Sequence, residues 1–203
     1  MKRHIKFFLI FLFPLTPLLA QFGKNKVQYE KFNWRYIQTQ HFDVYFHDKN
    51  KTLAVFAGKV AETSLGSIQK TLKYRITQRI PIIVYNSHNQ FQQTNVINMF
   101  LPEGIGGVTE LFKNRVVVPF EGDYEQFRHV IHHELVHAVI NDWFYGGTIQ
   151  SAVSRGNMVE IPLWMHEGLC EWESIGGLDV STDVYIRDLT LSENLPDLNY
   201  LDG

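Results

Sequence analysis

Two histidines four residues apart constrain the fold of this chain more than any other feature. They lie in the run His133-Glu134-Leu135-Val136-His137. On an α-helix, residues at this spacing lie about 6 Å apart along the axis and are rotated by only about 40°, so both imidazoles can face one side. Two such rings can reach one metal ion, while Glu134 at the flank of that face can approach a metal-bound water. The motif predicts a helix that carries a metal site, with Glu134 as general base.

The residues around the motif also favour a helix. Asp123 is a good N-cap, and Gln126 follows three positions later, as in a capping box. Asn141-Asp142 is a reasonable end, which predicts a helix to about residue 140. Between these points the apolar residues are frequent enough to bury a broad face: Phe127, Val130, Ile131, Leu135, Val136 and Val139.

A third ligand is available on a second helix downstream. Pro162 suits the first turn of this helix, which is predicted to extend to about Ser174 before Gly176-Gly177. Glu167 on it is followed by a glycine, which permits close approach. Zinc held by two histidines and one glutamate keeps a fourth position for water, as catalytic zinc sites do. The rival acids in this region are Glu160, Glu171 and Glu173.

The rest of the chain predicts a sheet that precedes these two helices. Alternating or continuous apolar residues indicate strands, and a helical period indicates one further long helix. The fold class is therefore α+β, with an N-terminal mixed β-sheet and a metal-binding helix pair. Strands are predicted near residues 32–36, 42–46, 80–85, 108–112 and 116–118, the last two as a hairpin turning at Lys113-Asn114. Further helices are predicted at 52–72 and, as a last short helix, from a start near Ser181 to Asp183.

Residues 1–20 have the pattern of a secretory signal peptide. A basic start is followed by an almost entirely apolar stretch that ends at Ala20. The prolines at 14 and 17 and the short length argue against a membrane span, although an uncleaved N-terminal anchor is the alternative. The sequence predicts export to the periplasm or the cell exterior, one domain over residues 21–203, and no transmembrane span in the mature chain.

Composition excludes several classes of protein. The 203 residues carry a formal net charge of −2, and no Lys/Arg cluster follows the N-terminus, so a nucleic-acid partner is not expected. Cys170 is the only cysteine, so the chain has no internal disulfide. Cys170 is predicted to be a small buried hydrophobe.

The two motifs together resemble a known family. His133-Glu134-Leu135-Val136-His137 followed by Trp164-Met165-His166-Glu167-Gly168-Leu169 is similar to the gluzincin metallopeptidases. The closest likeness is to the peptidase MA-like domain of exported bacterial proteins, often found ahead of a TolB-like β-propeller. The resemblance covers about residues 28–203 and implies a zincin-like fold.

The resemblance also implies roles for individual residues. His133, His137 and Glu167 would bind one Zn²⁺ per chain, and Glu134 would be the general base. Glu171, one turn after Glu167, would orient a ligand histidine. Full-length relatives would carry a C-terminal β-propeller as a further domain.

Three neighbouring features leave alternatives open. In gluzincins an upstream strand pairs with the substrate backbone, which implies that Gly107 and Val108 bind substrate, although a plain hairpin is the alternative. His129 lies about 12 Å along the helix axis from His137, so it is predicted to be a polar neighbour rather than a ligand. His166 precedes Glu167 by one position and is predicted to face away from the metal.

These features predict an exported zinc-dependent metallopeptidase that hydrolyses a peptide or protein substrate with a zinc-activated water and Glu134. The alternative is a catalytically inactive zincin-fold binding module of the cell envelope. Gluzincins usually supply a downstream Tyr or His that stabilises the oxyanion, and the candidates here are Tyr185, Tyr200 and Arg187. Leu201-Asp202-Gly203 does not resemble a natural domain end, which predicts a chain truncated at its C-terminus.

Overall fold

The computed structural model describes residues 29–48, 50–96, 104–111, 113–146 and 161–197. The predicted signal peptide at residues 1–20 lies outside these ranges. An N-terminal sheet is followed by several helices, which confirms the α+β class. The elements in chain order are β1 Trp34–Gln38, β2 Phe42–His47, α1 Lys51–Leu72, β3 Ile80–Tyr85, α2 His88–Phe91, β4 Val108–Glu110, β5 Arg115–Pro119, α3 Tyr124–Tyr145, α4 Leu163–Ile175 and α5 Val180–Leu191.

The sheet is mixed and has the strand order β1-β2-β3-β5-β4. The three central strands are parallel, and the pairs β1–β2 and β4–β5 are antiparallel. Val44, Ile82 and Val116 lie in register across the parallel strands and are all buried. Among the described strands, the short β4 therefore lies at one edge of the sheet, next to β5.

The main core lies between the sheet and helices α1 and α3. Helix α1 places Ala54, Ala57 and Ala61 against it, and these small residues allow close packing. Helix α3 contributes Ile131 and Leu135, which are fully buried. Because helix α3 packs on β5 and β4, its side chains lie next to the edge of the sheet.

Helix α3 is longer than the sequence predicted. Its N-cap is Asp123, which accepts hydrogen bonds from the backbone N–H groups of Glu125 and Gln126, as expected. The predicted end at Asn141-Asp142 is wrong, because the helix continues to Tyr145 and ends at Gly146 with a φ of 70°. Asp142 is buried within the helix and accepts hydrogen bonds from Tyr74 and Thr77. Its carboxylate therefore belongs to a tertiary hydrogen-bond network and does not end the helix.

Other differences concern the short elements. Strand β4 ends at Glu110, two residues before the predicted end, and Asn114 in the following turn has a φ of 49°. Helix α2 was not predicted, and helix α5 extends over twelve residues from its N-cap at Asp179. Helix α5 has no buried residue. Within the described ranges, none of the helices has both the length and the apolar character needed to cross a membrane.

Candidate metal centre

Helices α3 and α4 pack together and bring three donor atoms into a nearly regular triangle. The Nε2 atoms of His133 and His137 are 3.2 Å apart. Oε2 of Glu167 lies 3.3 Å from the first and 3.4 Å from the second. The structure thus brings together the two motif histidines and the acid of the second motif.

The triangle has the size that a small tetrahedral ion requires. Ligands at about 2.0–2.1 Å from a tetrahedral centre lie about 3.3–3.4 Å from one another. Burial lowers the pKa of His137 to about 3, and the neighbouring His166 and His133 act in the same direction. The ring is therefore neutral at ordinary pH, which is the form that binds metals. Two imidazoles and one carboxylate form a donor set that suits zinc.

Cys170 adds a thiol to this group. Its Sγ atom and a ring nitrogen from each of His133 and His137 all lie within 4.8 Å of one another. The side chain is fully buried, as predicted, but the sequence analysis missed its proximity to the rings. The sequence feature that could have indicated this proximity is the position of Cys170 three residues after Glu167, on the same face of α4. Burial, and then the nearby carboxylates, raise the pKa of the Cys170 thiol.

The second ring nitrogens of both motif histidines also have contacts. Nδ1 of His133 lies 3.2 Å from Oε2 of Glu171, the residue predicted to orient a ligand histidine. His129 lies beside the same carboxylate, with its Nε2 3.4 Å from Oε2 of Glu171. These three residues form a second group that could hold a cation.

His166 does not face away from the centre, and that prediction is wrong. Its Nε2 lies 3.2 Å from Nδ1 of His137. The reason is that α4 presents a broad face to α3, in which His166 and Cys170 form one i,i+4 pair and Glu167 and Glu171 form another. Two adjacent positions of α4 can therefore both contact the rings of α3.

Glu134 is buried between helix α3 and strand β4. Glu134 is only 7% exposed, and this burial raises the pKa of its carboxyl group to about 7. The Thr109 hydroxyl lies 2.7 Å from Oε2 and 2.9 Å from the backbone carbonyl oxygen of Glu134. A Cβ atom at Gly107 would lie 2.8 Å from Cγ of Glu134, so only glycine fits beside this carboxylate without movement.

A cleft of about 480 Å³ opens over these groups. Gly107 and Val108, the predicted substrate-binding residues, lie along it. Of the predicted oxyanion candidates, Tyr185 is 64% exposed on α5, Arg187 pairs with Asp183 at 2.7 Å, and Tyr200 lies outside the described residues. The cleft is lined by Ile105, Gly107, Val108, Thr109, Glu134, His137, His166 and Glu167.

Of the rival acids that the structure describes, Glu171 and Glu173, neither joins the triangle. Glu173 is buried on another side of α4, where it accepts hydrogen bonds from the hydroxyls of Ser67 and Thr71. His132 approaches it to 3.9 Å, and burial lowers the pKa of that histidine. Glu160 lies outside the described residues.

Comparison with models of known protein families finds no match for this chain, and comparison with curated proteins finds none either. The likeness to gluzincins therefore rests on the two sequence motifs. What the structure adds is a mixed five-stranded sheet with a His-x-x-x-His group on α3 and a candidate metal site of histidine, cysteine and glutamate side chains.

Proposed function

We propose that the protein is a zinc-dependent peptidase that acts in the periplasm or outside the cell. One observation carries the proposal. Three donor atoms 3.2 to 3.4 Å apart, from His133, His137 and Glu167, lie beside a buried carboxyl group on the wall of an open cleft. Structural zinc sites are closed and have no need of such a neighbour, whereas hydrolytic sites require one.

His133, His137 and Glu167 would hold the ion. When bound, zinc supplies a Lewis acid that polarises a carbonyl group and lowers the pKa of water. The outer contacts of the rings, from Glu171 to His133 and from His166 to His137, hold both imidazoles in the orientation that directs Nε2 towards the centre.

Glu134 is suited to proton transfer. Burial raises the pKa of Glu134 to about 7, and a group in this range can accept a proton and return it at neutral pH. A cation in the triangle would act in the opposite direction to burial and favour the carboxylate that accepts the proton. In the proposed reaction the carboxylate takes the proton of the attacking water and later delivers it to the leaving amine. Its burial keeps the transferred proton away from bulk solvent.

Strand β4 supports a peptide as the substrate. It is an edge strand of the described sheet, and its residues line the cleft together with Glu134. Edge strands can pair with an extended peptide through backbone hydrogen bonds. The absence of a side chain at Gly107 lets this segment approach Glu134 closely, so a peptide paired with the strand would lie near the general base.

The location outside the cytoplasm is proposed from the pattern of residues 1–20, a basic start and an apolar stretch before Ala20. A fusion of this segment to a reporter enzyme that is active only after export tests it. Export of the reporter is expected, and a reporter retained in the cytoplasm would contradict the proposed location.

Metal analysis and one substitution test the function together. The purified protein is expected to contain about one zinc per chain, and His133→Ala should lose it. Glu134→Gln should keep the zinc but lose cleavage of a peptide library, because Gln cannot accept the proton. Full cleavage by Glu134→Gln would overturn the mechanism.

A specific observation favours the second candidate, a binding module without catalytic activity. The described residues that line the cleft include no tyrosine or arginine that could stabilise an oxyanion, and His166 is engaged with His137. This candidate predicts that zinc and peptides bind but that no peptide in the library is cleaved. Cleavage that depends on zinc and Glu134 would exclude it.

A further inference from the structure

We propose that Thr109 is a positioning residue for Glu134, and that it leaves Oε1 as the carboxylate oxygen that exchanges the proton. The inference rests on the proposed function, because it assigns the supports of the same general base. It concerns strand β4, whose Val108 and Thr109 line the cleft but which contributes no donor to the candidate metal site.

The first support is the hydroxyl contact. Oγ1 of Thr109 lies 2.7 Å from Oε2 of Glu134, a length typical of a hydroxyl that donates to a charged acceptor. The same Oγ1 lies 2.9 Å from the backbone carbonyl oxygen of Glu134, so the threonine contacts the residue at two points. With Oε2 engaged, rotation of the carboxylate would break a hydrogen bond in a buried environment, which is unfavourable.

The second support is the backbone of the same strand. Gly107 lies two residues before Thr109, and residues two apart in an extended segment face the same side. A Cβ at Gly107 would lie 2.8 Å from Cγ of Glu134 and 3.0 Å from Oε1. The carboxylate is therefore confined between a hydroxyl at one oxygen and bare backbone at the other.

From these contacts we predict how loss of the Thr109 hydroxyl changes kcat and KM. Thr109 contacts the base and not the candidate metal ligands, so it should affect the proton-transfer step more than zinc binding. A small displacement of a catalytic group costs a large factor in rate, while ground-state binding changes little. The expected result is a lower kcat with a similar KM.

The test compares two substitutions in the zinc-loaded protein. Thr109→Val keeps the shape and removes the hydroxyl, and kcat should fall about tenfold with KM and zinc content unchanged. Thr109→Ser restores the hydroxyl and should restore kcat. Thr71→Val is the matched control, because it removes another hydroxyl that donates to a buried glutamate, Glu173, away from the cleft. Its kcat should be unchanged.

A second readout uses the metal-free protein and needs no activity. In protein labelled with ¹³C at the glutamate carboxyl carbons, the Glu134 signal is identified by its loss in Glu134→Gln. It should shift in Thr109→Val and not in Thr109→Ser or Thr71→Val. If Thr109→Val does not fold, Thr109→Ala provides the test, since it removes the same hydroxyl, and it should shift the same signal and lower kcat.

The outcomes separate this inference from the proposed function. A wild-type kcat or an unmoved Glu134 signal in Thr109→Val, or in Thr109→Ala where the valine variant does not fold, overturns the role of Thr109 while leaving the peptidase proposal intact. An inactive wild-type protein overturns the peptidase proposal, and the carboxyl signal still decides whether Thr109 holds Glu134.

Discussion

Two buried glutamates of the helix pair differ in what surrounds them. Glu173 on α4 accepts hydrogen bonds from two hydroxyls of α1, those of Ser67 and Thr71, and is 6% exposed. Glu134 on α3 is 7% exposed but accepts from one hydroxyl, that of Thr109, and lines the cleft. Equal burial therefore does not mean equal function. The first carboxylate links helices, and the second remains available for proton exchange.

The largest difference is expected in activity. In the zinc-loaded protein, Glu134→Gln should lower kcat/KM for peptide cleavage by about 10²–10⁴-fold, the usual contribution of a general acid-base group. Glu173→Gln should leave it within about threefold, because Glu173 does not reach the cleft. Equal losses in the two variants would show that the comparison is wrong.

The second effect concerns stability and pH in the metal-free protein. The pKa of Glu134 is raised by burial from 4.5 to about 7. The folded state therefore holds this proton more tightly than the unfolded state, and its stability falls as pH rises from about 4.5 to 7. Above that range the loss amounts to about 3 kcal/mol.

Glu134→Gln removes this titration. The metal-free variant should be more stable than the wild type in urea unfolding at pH 8, and the difference should vanish towards pH 4.5. Glu173→Gln provides the control for removal of a buried carboxylate elsewhere. A difference that does not depend on pH would contradict the assigned cause.

A smaller effect is expected when the linking carboxylate is removed. Glu173→Ala leaves the hydroxyls of Ser67 and Thr71 without their acceptor in a buried environment, which costs about 2 kcal/mol. Urea unfolding of the metal-free protein measures this loss. Unchanged stability would mean that the junction between α1 and α4 gains nothing from Glu173.

The smallest effect is expected when one of the two hydroxyl groups that donate to Glu173 is removed. Ser67→Ala removes a single hydrogen bond to Glu173 and leaves that of Thr71, so the free energy of unfolding should fall by about 1 kcal/mol. Zinc content should not change. A loss as large as that of Glu173→Ala would show that the two hydroxyls do not share the carboxylate.

The periodic parts of the chain were predictable from sequence. Residues 80–85 form a strand at the predicted bounds, because a short β-branched run between turn residues leaves few alternatives. The end of α3 was not predictable, because Asn141 and Asp142 are ordinary helix-ending residues. Only the hydrogen bonds from Tyr74 and Thr77 to Asp142 explain why the helix continues.

The candidate site was predictable where it depends on a single helix. The spacing of His133 and His137 specified the approach of their rings without knowledge of the fold. The contacts of His166, Cys170 and Thr109 depend on how α4 and β4 pack against α3, which no local pattern encodes. This is why the orientation of His166 was wrongly predicted and why Thr109 was missed.

The burial of Cys170 has a practical consequence. It is the single thiol of the chain, and it is enclosed between α3 and α4. An alkylating reagent can reach it only when the two helices separate or the domain unfolds. The rate of alkylation of the protein without any substitution, followed by mass spectrometry, therefore measures how often this helix pair opens.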